Sequence, residues 1–229
     1  MTIRLGILAT VFLAGAALMS LEMASFRLVE PELGSDIVVW GSLISVFLGG
    51  LAVGAIIGGR WADVAPNLRK LGIILVAGGM ISLAVPFYSD AVLDWAYPGQ
   101  GAPLPSEWGT GGGDLKLAVY QPPDMRWAAL MAGTILFGLP AILLGMVSPY
   151  SARLFVHEMP HMGAGIGEVY GVSTVGSIAG TLGTAFYLIT KFGTHAILGG
   201  NGALLIGLGI ALVGCDMARR KAGPTAPQQ

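Results

Sequence analysis

The sequence predicts an all-α fold, a polytopic integral membrane bundle of about six transmembrane helices. Two observations on composition lead to this prediction. Of the 229 residues, 54% are hydrophobic and only 11% are charged, whereas soluble domains usually have about 25% charged residues. Glycine accounts for 36 residues, and in lipid small residues let helices approach closely where no hydrophobic force drives them together.

The stretch 40–63 provides the third observation, an apolar run that ends in a charged and aromatic segment. About 20 helical residues cross a hydrocarbon core of about 30 Å, so the run is long enough to span a membrane. Gly50, Gly54 and Gly58 recur every fourth residue and share one helix face, which predicts close packing against another helix. Gly176 and Gly180 repeat this spacing and lead to the same expectation.

Five other apolar runs complete the predicted set. The first is expected to be a retained helix rather than a signal peptide, because it is long and lacks a polar cleavage region. The runs form a single predicted transmembrane domain over 1–221, and the small, polar, Pro-containing tail 222–229 is expected to be disordered. The six predicted spans cover residues 5–28, 37–59, 71–93, 127–147, 166–190 and 196–215.

Basic residues predict the orientation, because cytoplasmic loops of membrane proteins carry an excess of Lys and Arg. With both termini in the cytoplasm (N-in/C-in), eight basic residues lie inside and four lie outside. The sequence therefore predicts a multi-pass protein of the inner (plasma) membrane. The inner residues are Arg4, Arg60, Arg69, Lys70, Arg153, Arg219, Arg220 and Lys221, and the outer ones are Arg27, Lys116, Arg126 and Lys191.

Residues 94–126 form a long predicted outer loop with several glycines and prolines. Loops of this length are usually functional or disordered. Two interpretations stay open for its aromatic residues Trp95, Trp108 and Tyr120. Either the loop is solvated and its aromatic rings rest at the membrane interface, or these residues contact a protein partner.

Several classes of function find no support in the sequence. The net charge of −1 argues against a nucleic-acid surface, and the single cysteine, Cys215, excludes an internal disulfide and a multi-Cys metal site. Residues 157–161 spell HEMPH, but the proline disfavours the continuous helical turn that a zinc-protease motif needs. The glycine-rich segment 111–114 lacks the preceding strand of a nucleotide loop. We therefore expect no metal, no cofactor and no enzymatic activity.

Glu22 is the most informative single residue. It lies in the outer half of the first span, where an ionisable side chain is costly and usually faces a cavity or a partner. Arg27 is five residues further along and points away from Glu22, so it is a poor partner within the helix. Two interpretations stay open: a cation or proton site, or a hydrogen bond that holds helices together.

Glu168 and Tyr170 open the fifth span near the predicted inner face. A carboxylate in the first turn of a helix complements the helix dipole, and this is one interpretation of Glu168. The other is a second acid on an amine path, with Tyr170 beside it. Glu22 and Glu168 are expected near opposite membrane faces, so they mark two ends of a path rather than one site. Pro140 is expected inside the fourth span and Pro149 just past its inner end.

Three blocks of the sequence carry a family resemblance: residues 21–28 (LEMASFRL) with Gly34, Ser35 and the 40–63 stretch, residues 143–150 (LLGMVSPY) and residues 170–181 (YGVSTVGSIAGT). They resemble the membrane domain of the bacterial fused major-facilitator/spermidine-synthase-like family. Gly59, Arg60 and Asp63 also resemble the cytoplasmic loop motif of major facilitators. The resemblance implies half of a facilitator-like architecture and a polyamine or other small organic cation as substrate. Fused members carry a synthase-like domain after the membrane part, and this chain is expected to lack it.

Two hypotheses about function follow. The first is a transport-type membrane module in the lipid bilayer, with Glu22 as the cation-attracting acid and Glu168 and Tyr170 further along the path. The second is a non-catalytic structural or accessory subunit of a larger membrane complex that docks partners through its outer loop. The expected partners are other membrane subunits or a separate synthase-like chain, and no nucleic acid.

Overall fold

A computed structural model describes residues 2–64, 66–98, 125–156 and 162–221. Within these residues all regular structure is helical, and six helices are long and apolar enough to cross a membrane. The predicted fold class is therefore confirmed. The expectations for Trp108, Tyr120, residues 111–114, residues 157–161 and the tail 222–229 lie outside the described residues. The helices are α1 (Thr2–Leu33), α2 (Ile37–Asp63), α3 (Leu68–Ala96), α4 (Met125–Val156), α5 (Gly163–Lys191) and α6 (Thr194–Lys221).

The helices extend beyond the predicted spans, because polar residues end an apolar run without ending a helix. The helix α1 continues through Glu30 and Pro31 to Leu33. Gly34 then adopts a φ of 78° and donates its N–H to the carbonyl of Glu30 at 2.8 Å. This left-handed conformation is easy only for glycine and is a common way to end a helix.

Side chains cap the next two helices at their N-termini. Asp36 accepts a hydrogen bond from the backbone N–H of Val38 at 2.9 Å at the start of α2. Asn67 accepts one from the N–H of Lys70 at 2.8 Å at the start of α3. Each cap satisfies one of the N–H groups that a helix leaves without an internal partner.

The six helices associate as three close pairs, α1 with α5, α2 with α4, and α3 with α6. In the first two pairs the helices run parallel, because Gly54 and Gly58 of α2 meet Ile142 and Met146 of α4 in the same order. In the third pair they run antiparallel, because Gly72 meets Gly209 while the later Gly79 meets the earlier Gly202. The buried core lies where these pairs come together.

An internal two-fold relation links the first three helices to the last three. If each helix is exchanged with the helix three places along the chain, the pair α1 with α5 becomes the pair α4 with α2. The pair α3 with α6 becomes itself. Since α1 and α2 are joined by a short turn and α2 runs parallel to α4, α4 runs opposite to α1. The arrangement is therefore an inverted repeat of three helices, a common plan in membrane transporters.

The repeat holds at the level of single glycines. Gly15 corresponds to Gly145 and Gly72 to Gly202, each 130 residues further along, and Gly79 corresponds to Gly209 in the same way. The α2 residues Gly54 and Gly58 correspond to Gly176 and Gly180 of α5, each 122 residues further along. The corresponding glycines also meet corresponding partners: Gly58 meets Met146, and Gly180 meets Ala16.

Two π-helical turns interrupt α4 and α5, at Thr134–Gly138 and Thr184–Leu188. The first has a clear cause, because Pro140 has no N–H and its ring would clash with the carbonyl of Leu136 in a regular helix. Pro149 also lies inside α4, which continues to Val156. The prediction that Pro149 lies past the end of this helix is therefore wrong, and the buried Tyr150 and Phe155 beyond it explain why the helix continues.

The two ends of the bundle differ in net charge. One end, the basic end, has Arg4, Arg60, Arg69, Lys70, Arg153 and Arg219, and the other, the acidic end, has Glu30, Glu32, Asp36, Asp90 and Asp94. The positive-inside rule places the basic end in the cytoplasm, and this orientation stays a prediction.

Candidate functional site

A groove lies between the helix pairs α1 with α5 and α2 with α4. It consists of two cavities of about 200 Å³ and about 290 Å³, called here the deep cavity and the end cavity. Pro149 of α4 and Tyr170 of α5 line both of them, so the two cavities meet at these residues. The groove therefore runs from the middle of the helices to the basic end.

The deep cavity has a few polar groups among small and apolar residues. The hydroxyls of Ser148 and Ser173 lie 3.3 Å apart, one on α4 and one on α5, and both residues line the cavity. Gly145 lines it as well. Its carbonyl cannot accept the usual helical hydrogen bond from residue 149, because that residue is a proline. These oxygen atoms suit a donor-rich or cationic group.

Two ion pairs lie at the basic end of the bundle, and one of them lines the end cavity of the groove. Asp63, at the end of α2, has Oδ1 3.2 Å from Nε of Arg153 of α4, and both residues line the end cavity. Arg4 of α1 has Nη2 3.6 Å from Oε2 of Glu168 of α5, and its guanidinium lies 5.0 Å from the ring centre of Phe155. All four charged side chains are partly exposed, so a ligand can compete for them.

The position of Glu168 corrects one of its two interpretations. The helix α5 begins at Gly163, three residues before the predicted span, so Glu168 lies in its second turn. The effect of a helix dipole falls off within the first turn, and the dipole interpretation is therefore wrong. Glu168 instead pairs with Arg4 of α1. Glu168 also lies two residues before Tyr170, which lines both cavities.

Glu22 lines neither cavity, but helical spacing assigns it to the groove side of α1, one turn beyond the deep cavity. Gly15 and Leu18 line that cavity, and a helical residue four positions after Leu18 shares its face. The Glu22 side chain is half-buried and makes no hydrogen bond or ion pair with any described residue. Arg27 is engaged elsewhere, since it donates to Oε2 of Glu30 at 2.9 Å.

Glu22 and Glu168 do not form one site. Glu168 contacts Arg4 of α1. Along α1, Arg4 and Glu22 are about 27 Å apart at the helical rise of about 1.5 Å per residue. The deep cavity and the end cavity lie between these two carboxylates.

The motif at the end of α2 remains helical through Asp63. Gly59 and Asp63 line the end cavity, whereas Arg60 is exposed. Beside them the Tyr150 hydroxyl accepts a hydrogen bond from the N–H of Asn67 at 3.1 Å. This contact fixes the turn between α2 and α3 against α4, and it was not predicted from the sequence.

The glycine faces lie where helices touch. A Cβ built at Gly50 would lie 2.5 Å from Cβ of Ala141, and one at Gly58 would lie 2.7 Å from Cα of Met146. Gly176 and Gly180 contact the α1 backbone at Phe12 and Ala16. The four glycines between α3 and α6 were not predicted from the sequence, although Gly72 and Gly79 repeat the spacing of Gly202 and Gly209.

A buried polar cluster joins α1, α5 and α6. The hydroxyl of Ser20 accepts hydrogen bonds from Thr184 Oγ1 at 2.7 Å and from Asn201 Nδ2 at 2.9 Å. All three residues are buried. Asn201 was the available signal in the sequence, since an amide inside an apolar span usually bonds to another helix.

The acidic end has a separate cavity of about 260 Å³ between α1, α3 and α6. Arg27, Glu32, Asp90 and His195 are among its lining residues. Of Trp95, Trp108 and Tyr120, the aromatic residues predicted in the outer loop, Trp95 is the one within the described residues. Its loop prediction is wrong, because α3 continues to Ala96 and Trp95 lies in its last turn, near this end and 62% exposed. Its ring is therefore accessible to lipid headgroups or to a partner.

The described residues contain no group of three or more His, Cys, Asp or Glu side chains placed to hold a metal ion. No protein-family model, curated protein or solved structure matches this chain.

Proposed function

We propose that this multi-pass membrane protein is a transport module of the plasma membrane that moves a small organic cation along the groove. The observation that carries the proposal is Glu22, a half-buried carboxylate without a described partner on the groove side of α1. An uncompensated acid inside a span is costly, so such residues usually serve a function. From Glu22 the path passes the deep cavity, Tyr170 and the end cavity, and reaches Asp63 and Glu168 at the basic end.

The internal repeat supports this path, because polar residues along the path have apolar residues at the corresponding positions of the other half. The packing glycines Gly54 and Gly58 have glycines as their counterparts, and Gly50 has Val172. In the same registers Glu22 corresponds to Ala152, Ser148 to Leu18 and Ser173 to Leu51. Tyr170 corresponds to Leu48 in the same register. Packing alone would be served by the apolar counterparts, so the polar residues suit a role beyond packing.

The first experiment measures uptake of radiolabelled spermidine into proteoliposomes that contain the purified protein. Glu22→Gln is expected to lower uptake at least about tenfold, because the neutral amide no longer attracts the ammonium groups. Glu30→Gln is the matched control on the same helix and is expected to retain uptake. Uptake that persists in a folded Glu22→Gln protein would remove Glu22 from the path.

The second experiment blocks the groove itself. Ser173→Leu places a larger apolar side chain in the deep cavity, whereas Thr174→Leu changes the next residue, which is exposed on α5. We expect Ser173→Leu to abolish uptake and Thr174→Leu to preserve it. Tyr170→Ala provides a second variant that adds no volume, and loss of uptake is expected there too. Equal uptake in Ser173→Leu and Thr174→Leu proteins would show that the substrate does not use the groove.

The choice of a polyamine rests on the resemblance to the fused major-facilitator/spermidine-synthase-like family, to which we propose that this chain is related. In that case a separately encoded synthase-like chain is the partner to expect. Competition for uptake by putrescine, choline and lysine at equal concentration separates a polyamine path from one for other organic cations.

The alternative function is a non-catalytic subunit of a larger membrane complex. The exposed Trp95 at the start of the 94–126 segment and the largely exposed surface of α5 favour this candidate. Deleting 97–123 is expected to release co-purifying partners while all six helices remain inserted. If the assembled mass of the protein in mild detergent is unchanged by the deletion, this segment does not dock a partner.

A further inference from the structure

A cleft at the basic end lies away from the groove, between α1, α3 and α6. Its volume is about 350 Å³. Apolar and small residues line most of it, among them Gly6, Ile7, Leu68, Leu212 and Cys215, and Arg219 is the one charged residue among the described residues that line it. The lining therefore combines an apolar interior with a single positive charge.

The charge and the apolar residues are arranged along the membrane normal. Arg219 lies in the last turn of α6, and Leu212 lies about two turns deeper. Leu68 is the first residue of α3, and exposed Arg69 follows it at the same end of the bundle. A surface-level charge above an apolar slot matches a phospholipid, whose phosphate lies at the interface and whose chains lie below it.

Arg219 differs from its neighbour on the same helix. Arg220 has Nε 2.8 Å from Oδ2 of Asp216 and is engaged in that ion pair. Arg219 makes no ion pair with any described residue. Its guanidinium is therefore available to a phosphate, which it can bind with two parallel hydrogen bonds.

We propose that this cleft binds an anionic phospholipid, with one acyl chain in the apolar slot and the headgroup phosphate on Arg219. The basic end is the predicted cytoplasmic side, where the leaflet carries anionic lipids and attracts basic residues. An anionic headgroup is favoured over phosphatidylcholine, because choline brings a positive charge next to Arg219 and Arg69.

The single cysteine of the chain gives a direct readout, since Cys215 lines the cleft. The probe lipid is dioleoyl phosphatidylglycerol, added to the purified protein in an uncharged detergent, and N-ethylmaleimide alkylates the thiol. We expect the lipid to slow alkylation at least about fivefold, and dioleoyl phosphatidylcholine or glycerol phosphate to slow it less than twofold. Equal protection by phosphatidylcholine, or protection by glycerol phosphate alone, would overturn the proposal.

Variants test the two halves of the site separately. Arg219→Gln is expected to weaken phosphatidylglycerol binding about fivefold, the usual effect of one basic residue at a membrane surface, whereas Arg220→Gln leaves it unchanged. A Cβ at Gly6 meets no atom within 4 Å, so Gly6→Leu fills the slot without moving the backbone. Gly207→Leu is its control, since Gly207 is equally open and lies outside the cleft.

Native mass spectrometry counts the bound lipid in each variant without relying on the thiol. Gly6→Leu is expected to lose the phosphatidylglycerol adduct and Gly207→Leu to keep it. The proposal fails if Arg219→Gln and Gly6→Leu retain the wild-type adduct. None of these residues lines the groove, so these outcomes are independent of those for cation transport.

Discussion

Replacing Gly79 by alanine tests the close contact between α3 and α6. A Cβ at Gly79 would lie 2.7 Å from the carbonyl oxygen of Gly202 and 2.9 Å from Cγ1 of Ile206. The adjacent Gly78 is also buried, but a Cβ there would lie 3.6 Å from Cβ of Leu143, which is an ordinary contact. Gly78→Ala is therefore a matched control in the same helix.

The expected cost follows from the separation that the new methyl group requires. Ordinary contacts begin at about 3.4 Å, so α3 and α6 must move apart by about 0.7 Å at Gly79. A gap of about 0.5–1 Å forfeits about a quarter to a half of the dispersion energy of the facing atoms. Overpacking of this kind typically costs about 1–3 kcal/mol. The gain in helix propensity, about 1 kcal/mol, is common to both variants and cancels in the comparison.

We therefore expect Gly79→Ala to be less stable than Gly78→Ala by about 1–3 kcal/mol. The measurement is the free energy of unfolding in mixed micelles of rising SDS fraction, followed by tryptophan fluorescence. Gly209→Ala should behave like Gly79→Ala, because its Cβ would lie 2.5 Å from the Gly72 carbonyl oxygen. Stabilities of Gly79→Ala and Gly78→Ala that agree within about 0.3 kcal/mol, less than the lower bound for overpacking, would refute the packing argument.

Three further predictions use the same unfolding measurement. Asn201→Leu removes the amide that donates to Ser20 at 2.9 Å, and we expect a loss of about 0.6–1.7 kcal/mol, as for other hydrogen bonds between membrane helices; a gain in stability would contradict this. Tyr150→Phe leaves the Asn67 N–H without its 3.1 Å partner and should cost about 1–3 kcal/mol, so a neutral result would show that water replaces the hydroxyl. Asp63→Asn breaks the exposed pair with Arg153 and should cost less than about 1 kcal/mol; a larger loss would mean that the pair is structural.

The sequence predicted the number of spans and the glycine faces of α2 and α5, because both signals are local. Gly50, Gly54 and Gly58 repeat every fourth residue, and that spacing alone puts them on one face. The glycines of α3 and α6 were missed for a physical reason. Their spacing of seven lies among other glycines, such as Gly78 and Gly207, and only the partner helix distinguishes the glycines at the contact between α3 and α6 from the others.

The candidate site was predicted only in part, since its geometry depends on contacts between distant segments. Glu22 stood out because any carboxylate inside a span is unusual. The pairing of Glu168 with Arg4 joins residues from opposite ends of the sequence, and no local pattern indicates it. The same holds for Ser148 and Ser173, whose hydroxyls meet across two helices.

The internal repeat explains why the groove lies where it does. The two-fold relation exchanges α1 with α4, which contact each other, and each of them has a parallel partner, α5 for α1 and α2 for α4. Glycines at corresponding positions let each pair pack closely, which leaves a gap between the pairs rather than within them. Because symmetry sets only the position of this gap, its lining is free to diverge between the halves. Polar residues such as Glu22 and Ser173 correspond to apolar residues in the other half of the repeat, so the same fold combines symmetric packing with an asymmetric set of polar side chains along the groove.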